Sequence, residues 1–180
     1  MIIDKITNQP TIEADRFIMR PVRRSDLGLL EMHTGDERVA RGTRTIPHPL
    51  PPGATEAFIA RAMQDERLFD VWVMDGSLSG HAEVVGIVCL TPMERDQSEI
   101  KFWVAPAFWN TGLASEAVRA MIGANPHGAK TLFAEVFQDN AASARVVTNA
   151  GFDYLGDAET YSVARNCTVP TWTYVNRLRD

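Results

Sequence analysis

Hydrophobic and polar positions along the chain follow two repeats, one typical of β-strands and one typical of amphipathic helices. Residues 17–22 form a short apolar segment that runs into a proline, and they predict a first strand. Ser25 and Asp26 then offer N-cap side chains for a helix that ends near Gly35. Apolar residues recur at helical spacing over residues 54–67, which predicts a second amphipathic helix.

A proline-rich stretch, residues 41–53, separates these two predicted helices. Four prolines interrupt it: Pro47, Pro49, Pro51 and Pro52. Each proline fixes φ and removes a backbone hydrogen-bond donor, so the stretch is predicted to be a loop. Loops of this length in a compact domain often bind ligands. We therefore expect this loop to border a binding site.

The central part of the chain changes to a strand pattern. Residues 69–74 and 83–90 are rich in bulky and β-branched side chains on either side of a turn at 76–80, which predicts a hairpin. Residues 99–105 add a third strand, which Pro106 ends. Three antiparallel strands are therefore expected to lie side by side.

Helices and strands alternate in the last third of the chain. Residues 112–124 carry apolar side chains on one helical face, and residues 131–136 return to a strand pattern. Because a strand-helix-strand unit needs a crossover, a parallel strand pair is predicted. Asn140 can cap a last helix that Gly151 ends. Two further strands are predicted after it: residues 152–161 and 169–178.

The composition fits one domain. The chain has 180 residues, of which 45% are hydrophobic and 23% are charged, a range in which one core closes without disulfides or metals. No repeat marks a second domain, so residues 1–180 are predicted to be a single mixed α/β domain. No segment resembles a signal peptide or a membrane span, and we expect a cytoplasmic protein without membrane partners. The sequence leaves open whether it is a monomer or a homodimer.

Charge and cysteine content exclude two classes of function. The 18 basic and 23 acidic residues give a net charge of −5, which disfavours nucleic-acid binding. Cys89 and Cys167 are too few for a disulfide framework and belong to no metal-ligand cluster. Four histidines also share no metal or triad spacing: His33, His48, His81 and His127. We expect no metal centre.

Residues 99–117 carry the clearest chemical pattern, a strand followed by a tight loop and a helix start. The first amides of a helix lack intrahelical partners and lie at the positive end of its dipole, so they bind phosphate without lysine. Asn110 and Gly112 tolerate left-handed backbone angles, and small residues at Gly112 and Ala114 let an anion approach. The loop alone fits a plain strand-to-helix connection equally well. Residues 137–152, a strand end followed by another helix start, supply a second observation.

The order of strand, phosphate loop and helix, followed by a strand and a helix that ends in Gly-Phe, resembles the GNAT acetyltransferases. The resemblance is strongest to the RimJ/RimL-like group, which acetylates protein N-terminal amines. Pro47-His48-Pro49 is similar to that group's entry loop, and residues 109–117 are similar to its cofactor block. The helix that runs from Asn140 and Ser143 to Gly151-Phe152 is also similar. The resemblance covers nearly the whole chain. It implies a central, twisted, mostly antiparallel sheet of about six or seven strands, with a splayed parallel pair and about four helices.

The resemblance also implies direct acetyl transfer from acetyl-CoA to a primary amine. A peptide or protein N-terminus is the first expectation, and a small amine is the alternative acceptor. The implied cofactor-binding residues are Phe102, Trp103, Val104, Trp109, Asn110, Thr111, Gly112, Leu113, Ala114, Asn140 and Ser143. In the family the pantetheine arm pairs with the strand at residues 102–104, and the Val104 amide would polarise the thioester carbonyl. Because the charged residues usual in the family's loop are missing here, backbone amides and the helix dipole must supply the phosphate site.

An acceptor that arrives as an ammonium ion must lose a proton, so the reaction needs a base. Glu99 is the first candidate because its strand position resembles that of the glutamate base in histone-type members, and Glu83 is the alternative. Ser143 is implied as the proton donor to the departing thiolate, and Tyr161 is a weaker candidate acid. His48 and Tyr161 are also candidates for contacts with the acceptor.

Two points stay open at the level of the sequence. In the RimL branch the base lies on the strand after the Gly-Phe pair, where this chain has Ser162, so that assignment does not transfer. Because a fold does not fix a function, a non-catalytic acyl-CoA-binding sensor or interaction domain is the alternative class of function.

Overall fold

A computed structural model describes residues 9–179 of the chain. Within that range one open sheet has the strand order β1-β2-β3-β4-β5-β6-β8-β7. The strands are β1 (Ile12–Glu13), β2 (Ile18–Pro21), β3 (Asp70–Asp75), β4 (Gly86–Met93), β5 (Gln97–Val104), β6 (Thr131–Phe137), β7 (Asp153–Ser162) and β8 (Cys167–Arg177). The helices are α1 (Leu27–Thr34), α2 (Glu37–Ala40), α3 (Ala54–Ala62), α4 (Leu113–Ala124) and α5 (Ala141–Asn149). The predicted mixed α/β fold is confirmed.

The described residues contain one strand and one helix more than the sequence predicts. β1 and α2 are too short to show a hydrophobic repeat, and α2 starts where Asp36 Oδ1 accepts a hydrogen bond from the Arg38 amide at 2.9 Å. Helix α3 ends at Ala62 rather than near residue 67; residues 63–66 are exposed, so no buried apolar face continues beyond it. Strand β4 begins at Gly86, so Glu83 precedes the strand instead of lying on it.

Helices cover both faces of the sheet, which gives two hydrophobic cores. One core lies under α4 and α5 and contains Trp72, Met121 and Leu132. The other lies under α1 to α3 and contains Leu30 and Trp103. Because successive side chains of a strand point to opposite faces, β5 contributes to both cores. Each face of β5 therefore meets a different set of helices.

The parallel pair of β5 and β6 is joined at one end only. Gln97, Ser98 and Glu99 pair with Thr131, Leu132 and Phe133 in parallel register. Beyond Glu99, β5 stays paired with β4 and β6 stays paired with β8, but β5 and β6 no longer pair with each other. The predicted parallel pair is confirmed, and a gap opens between its two strands from Ile100 onward.

A buried row of hydrogen-bonded side chains lies at the end where β5 and β6 are paired. Ser98 Oγ lies 3.0 Å from His127 Nδ1, and His127 Nε2 lies 2.6 Å from Asp70 Oδ2. Arg67 Nε donates to the other oxygen of Asp70 at 2.5 Å. Ser98 is only 1% exposed, so no substrate reaches its hydroxyl. The row connects β3, β5 and the segment before β6.

A second buried cluster joins β2, β3 and the start of α1. The Arg20 guanidinium donates to Asp26 at 2.8 and 2.9 Å and to Asp75 at 2.7 Å. Asp26 stands at the expected N-cap position, but its carboxylate binds Arg20 and the Arg23 amide instead of the helix amides. Burial opposes ionisation of Asp75, yet hydrogen bonds from Ser77 and Arg20 hold the pKa of its carboxyl below the usual value.

Candidate active site

The gap between β5 and β6 opens into a cavity of about 410 Å³. This volume lies within the range of small-molecule binding sites. Phe102 and Trp103 border it from opposite faces of β5, because the cavity passes through the sheet where the strands separate. The proline-rich loop also lines it, with residues 42–47 and Leu50. The predicted loop therefore borders a cavity.

Backbone groups of β5 face this gap. The Ala105 amide donates to the Val85 carbonyl, on the β4 side, at 2.8 Å. Because alternate residues of an antiparallel strand direct their amides to opposite sides, Phe102 and Val104 direct theirs toward β6. Pairing between β5 and β6 stops at Glu99, so these amides meet the gap rather than a neighbouring strand. An extended amide-containing group fits such an edge as an added strand does.

The loop after β5 holds the backbone conformation that the sequence predicts. Trp109 Nε1 donates to the Val104 carbonyl at 2.7 Å, which fixes the loop to the end of the strand. Asn110 and Gly112 have φ values of 60° and 80°, in the left-handed region. Helix α4 begins at Leu113, and no side chain at its N-cap satisfies the first amides. These amides form the positive end of the helix dipole.

An arginine from the start of the chain lies against this loop. Arg16 Nη1 donates to the Thr111 carbonyl at 2.8 Å, while its Nε and its backbone amide both bind the Glu116 carboxylate at 2.7 Å. Arg16 Nη2 lies 3.4 Å from where a Cβ on Gly112 would stand. The sequence pattern did not indicate Arg16, because it is about 95 residues away along the chain. It brings a guanidinium, paired with Glu116, to a loop whose own sequence has no charged residue.

The start of α5 forms another wall of the cavity. Asn140 and Ser143 both line it, and Asn140 Oδ1 accepts a hydrogen bond from the Ser143 amide at 3.2 Å. The prediction that Asn140 caps this helix is confirmed. Ser143 is half-buried, one helical turn farther along. The structure thus brings Asn140, Ser143, Phe102 and Trp103 together around one cavity.

Two glutamates stand on the separating strands, and one arginine of the proline-rich loop bridges them. Arg44 Nη2 lies 2.5 Å from Glu99 Oε1, and Arg44 Nη1 lies 3.5 Å from Glu135 Oε1. Lys101 Nζ is 3.4 Å from the same Glu99 oxygen. Glu135 lines the cavity, whereas Glu99 is not among the residues that line it. The two carboxylates therefore differ in their access to a ligand.

Burial raises the pKa of the Glu135 carboxyl above its usual value. Attraction to Arg44 and Lys101 opposes this effect, and repulsion from Glu99 adds to it. A raised pKa brings a carboxylate closer to the proton affinity that a general base needs near neutral pH. The sequence did not single out Glu135, although a carboxylate in the middle of an otherwise apolar strand is a usable signal.

Several predicted site residues lie outside the cavity lining: Val104 and residues 109–114 among the cofactor candidates, and Glu83, His48 and Tyr161 among the candidates for proton transfer and acceptor contacts. The Glu83 side chain is exposed in the turn before β4. His48 is half-buried in the proline-rich loop, and its Nδ1 has no hydrogen-bond partner among residues 9–179. Tyr161 is 52% exposed on β7, where its hydroxyl donates to Asn166 Oδ1. The structure does not bring the side chains of Glu83, His48 and Tyr161 to the cavity wall.

The part of the chain that the structure describes contains neither a metal-ligand cluster nor a helix able to cross a membrane. Within residues 9–179, no three His, Cys, Asp or Glu side chains are grouped closely enough to hold a metal ion. No helix in the same range combines the length and apolar character that a membrane crossing requires.

The open mixed sheet, the separating parallel pair and the uncapped start of α4 describe the site, and a comparison of the sequence with protein families identifies the class. The family model described as "Acetyltransferase (GNAT) domain" matches residues 16–153, so the chain belongs to the GNAT acetyltransferase family. It is therefore an N-acetyltransferase of the acyltransferase class, and members of this family use acetyl-CoA. A comparison of the sequence with curated proteins finds no significant match.

Solved structures share the fold over almost their whole length. RimL, a ribosomal L7/L12 α-N-protein acetyltransferase in complex with coenzyme A, has a TM-score of 0.80 at 13% identity, covering 94% of this chain and 98% of its own. A GNAT acetyltransferase from Bacillus anthracis gives 0.77 at 20% identity, over 95% and 100%. Spermidine N-acetyltransferase from Vibrio cholerae, with CoA and spermine, gives 0.75 at 13%, over 91% and 96%. At these identities the likeness shows the fold and does not fix the acceptor.

Proposed function

We propose that the protein transfers an acetyl group from acetyl-CoA directly to the N-terminal amine of a peptide or protein. The observation that carries this proposal is the cavity where β5 and β6 separate, since it combines backbone amides, the α5 start and Glu135 in one place. RimL, which shares the fold, acts on such an amine. When bound, acetyl-CoA supplies the acetyl group as an activated thioester.

The residues present fit this cosubstrate. The uncapped amides of Leu113 and its neighbours, together with Arg16, would hold the diphosphate. The β5 edge at Phe102 and Val104 would hold the pantetheine arm, with Asn140 on the opposite wall. The Val104 amide would donate to the carbonyl oxygen of the acetyl group as negative charge develops on it.

Glu135 is the group we propose to accept the proton of the acceptor ammonium, directly or through a water. It lines the cavity, and its raised pKa suits this task. Glu99, the candidate from the sequence, is held at 2.5 Å by Arg44 and keeps that arginine in place beside Glu135. Glu99 as the base remains a prediction, and the matched variants Glu135→Gln and Glu99→Gln decide between the two.

Ser143 is the group we propose to return a proton to the coenzyme thiolate. It lies on the cavity wall at the first turn of α5, and its amide is held by Asn140. Ser143→Ala should lower kcat while leaving acetyl-CoA affinity nearly unchanged. Lost affinity with unchanged kcat would make Ser143 a binding residue instead.

Two measurements test the proposed function. Acetyl-CoA should raise the thermal unfolding temperature, because a ligand that binds only the folded state stabilises it. Mixing the protein with acetyl-CoA and a peptide should release free thiol, with the acetyl group recovered on the N-terminus by mass spectrometry. A temperature shift without thiol release from any amine would favour the acyl-CoA-binding sensor, and no shift would refute cosubstrate binding.

A further inference from the structure

The wall of the cavity under α1 and α3 is made of large apolar side chains. They are Leu30, Ile46, Leu50, Phe58 and Phe69. Phe58 and Phe69 stack with ring centroids 6.0 Å apart and planes inclined by 15°. This apolar wall, defined by these five residues, continues into the gap that holds Glu135. A ligand whose amine reaches Glu135 therefore has its remaining bulk beside hydrophobic surface.

The charges around the cavity are mostly positive. Among the described residues that line it, the basic ones are Arg44, Arg61 and Lys101, and the one acidic side chain is Glu135. Glu99 is not part of this lining and is already bound to Arg44 and Lys101. One ammonium group finds a carboxylate here, but a second ammonium on the same ligand would meet cations or the apolar wall. Burying a charge without a partner is costly.

Building on the proposed function, we propose that the acceptor carries a single ammonium group next to a large apolar side chain. In a peptide this means a first residue such as Leu, Met or Phe. Its amine would lie at Glu135, and its side chain would lie against the apolar wall. Polyamines, which carry several ammonium groups, are excluded by the same charges.

A matched panel of acceptors tests this specificity. Peptides identical except for a first residue of Phe, Leu, Ala or Asp are compared with spermidine, by thiol release at saturating acetyl-CoA. The Phe and Leu peptides should show at least tenfold higher kcat/KM than the Ala peptide, and spermidine should fall below it. An Ala peptide, Asp peptide or spermidine that matches the Phe peptide would overturn the proposal.

Phenylalaninamide distinguishes a peptide acceptor from a small-molecule acceptor of the same chemistry. It carries one ammonium and one large apolar side chain but no further peptide. Turnover equal to that of the Phe peptide would assign a small-molecule acceptor of this class, and slower turnover would assign a peptide. Both results support the class, whereas a rate below that of spermidine would count against it.

Variants of the wall link the preference to the named residues. Phe58→Ala, or Leu50→Ala if the first variant folds poorly, should reduce the preference for Phe over Ala peptides at least fivefold. The effect should appear in the KM of the peptide, with the thermal shift by acetyl-CoA unchanged. Leu68→Ala is the control, because Leu68 is 81% exposed and lies outside the lining. An unchanged preference in both wall variants would refute the proposal.

Failure of this inference differs from failure of the proposed function. If acetyl-CoA gives no thermal shift and no amine releases thiol, the proposed function fails. If acetyl-CoA binds and acetyl transfer occurs, but polar or polycationic acceptors are preferred, only the assignment of the acceptor class fails.

Discussion

Replacing Glu135 by Gln should remove most of the acetyl transfer while leaving the fold intact. The substitution keeps the size of the side chain and removes one carboxylate at the cavity wall. Arg44 keeps its 2.5 Å contact with Glu99, so the bridge between loop and sheet persists. The matched variant is Glu99→Gln, which removes the neighbouring charge but leaves Glu135 in the cavity.

The size of the effect follows from the position of Glu135. A general base contributes about 10²- to 10⁴-fold, or roughly 3–5 kcal/mol of the barrier. Because the side chain is 19% exposed, a water can replace part of its role, and we expect a loss near the lower limit, about 10²-fold. Its contact with Arg44 is long, at 3.5 Å, so unfolding free energy should change by less than about 1 kcal/mol.

The pH dependence gives a second, independent readout. Burial raises the pKa of Glu135, and only its deprotonated form accepts a proton. In the wild type, kcat/KM should therefore fall as the pH drops through this raised pKa. In Glu135→Gln this acidic limb of the pH-rate profile should disappear. Glu99→Gln removes a repulsion from Glu135, so the acidic limb should move to lower pH.

The assay is thiol release over a pH series, with circular dichroism and thermal unfolding as controls for folding. If Glu135→Gln keeps wild-type kcat and its acidic limb while Glu99→Gln loses both, the base is Glu99 and our assignment is wrong. If neither variant changes the profile, no base lies at this pair of carboxylates.

Three further predictions concern binding and stability. Arg16→Gln should raise the KM of acetyl-CoA about fivefold, or roughly 1 kcal/mol, with kcat unchanged; an unaltered KM in steady-state assays would show that this arginine only shapes the loop. Arg20→Met removes the guanidinium that both buried carboxylates share, leaving Asp75 with Arg23 Nη2 at 3.6 Å and Asp26 with the Arg23 amide, and it should lower the unfolding free energy by about 3 kcal/mol in urea titrations. The pKa of the Asp75 carboxyl is lowered in the fold, so this contribution is present near neutral pH and is lost as the pH falls through that lowered pKa. The variant and the wild type should therefore converge in acid. Equal stability at pH 7 would refute the role of the cluster. Gly86→Ala places a Cβ 2.5 Å from the Trp103 carbonyl oxygen, so it should cost about 1–3 kcal/mol and reduce activity by displacing the end of β5; a variant with wild-type melting temperature and rate would contradict this.

The sequence predicts those elements whose hydrophobic repeat is long. Helix α4, helix α5 and the central strands lie where the repeats indicate, because each buries a continuous apolar face. β1 and α2 are missed because two and four residues cannot show a period. The start of β4 is misplaced for a different reason: Val84 and Val85 are buried in a turn, so hydrophobicity there reflects packing rather than a strand.

The segments proposed to bind acetyl-CoA are predictable from the sequence because each is continuous along the chain. The loop after β5 and the start of α5 are each read from neighbouring residues in one segment. The acceptor side is assembled from distant segments, and no local pattern indicates that Arg44 lies between Glu99 and Glu135. Tyr161 shows the same limit within a strand, since it is exposed while Ser162 beside it is fully buried. A shift of one residue changes the face of the sheet on which a side chain lies.

The bridge made by Arg44 has a consequence for how the protein acquires activity during folding. Its two contacts join residues 55 and 91 positions apart along the chain. Closing loops of this length is slow, and the contacts that offset its entropy cost form only when both partner strands are in place. We expect a growing chain to contain most of the sheet before it contains a working site, because β6 follows the five strands β1 to β5 along the chain. Activity during refolding should therefore return later than secondary structure, and a fragment that ends before residue 131 should bind no acceptor.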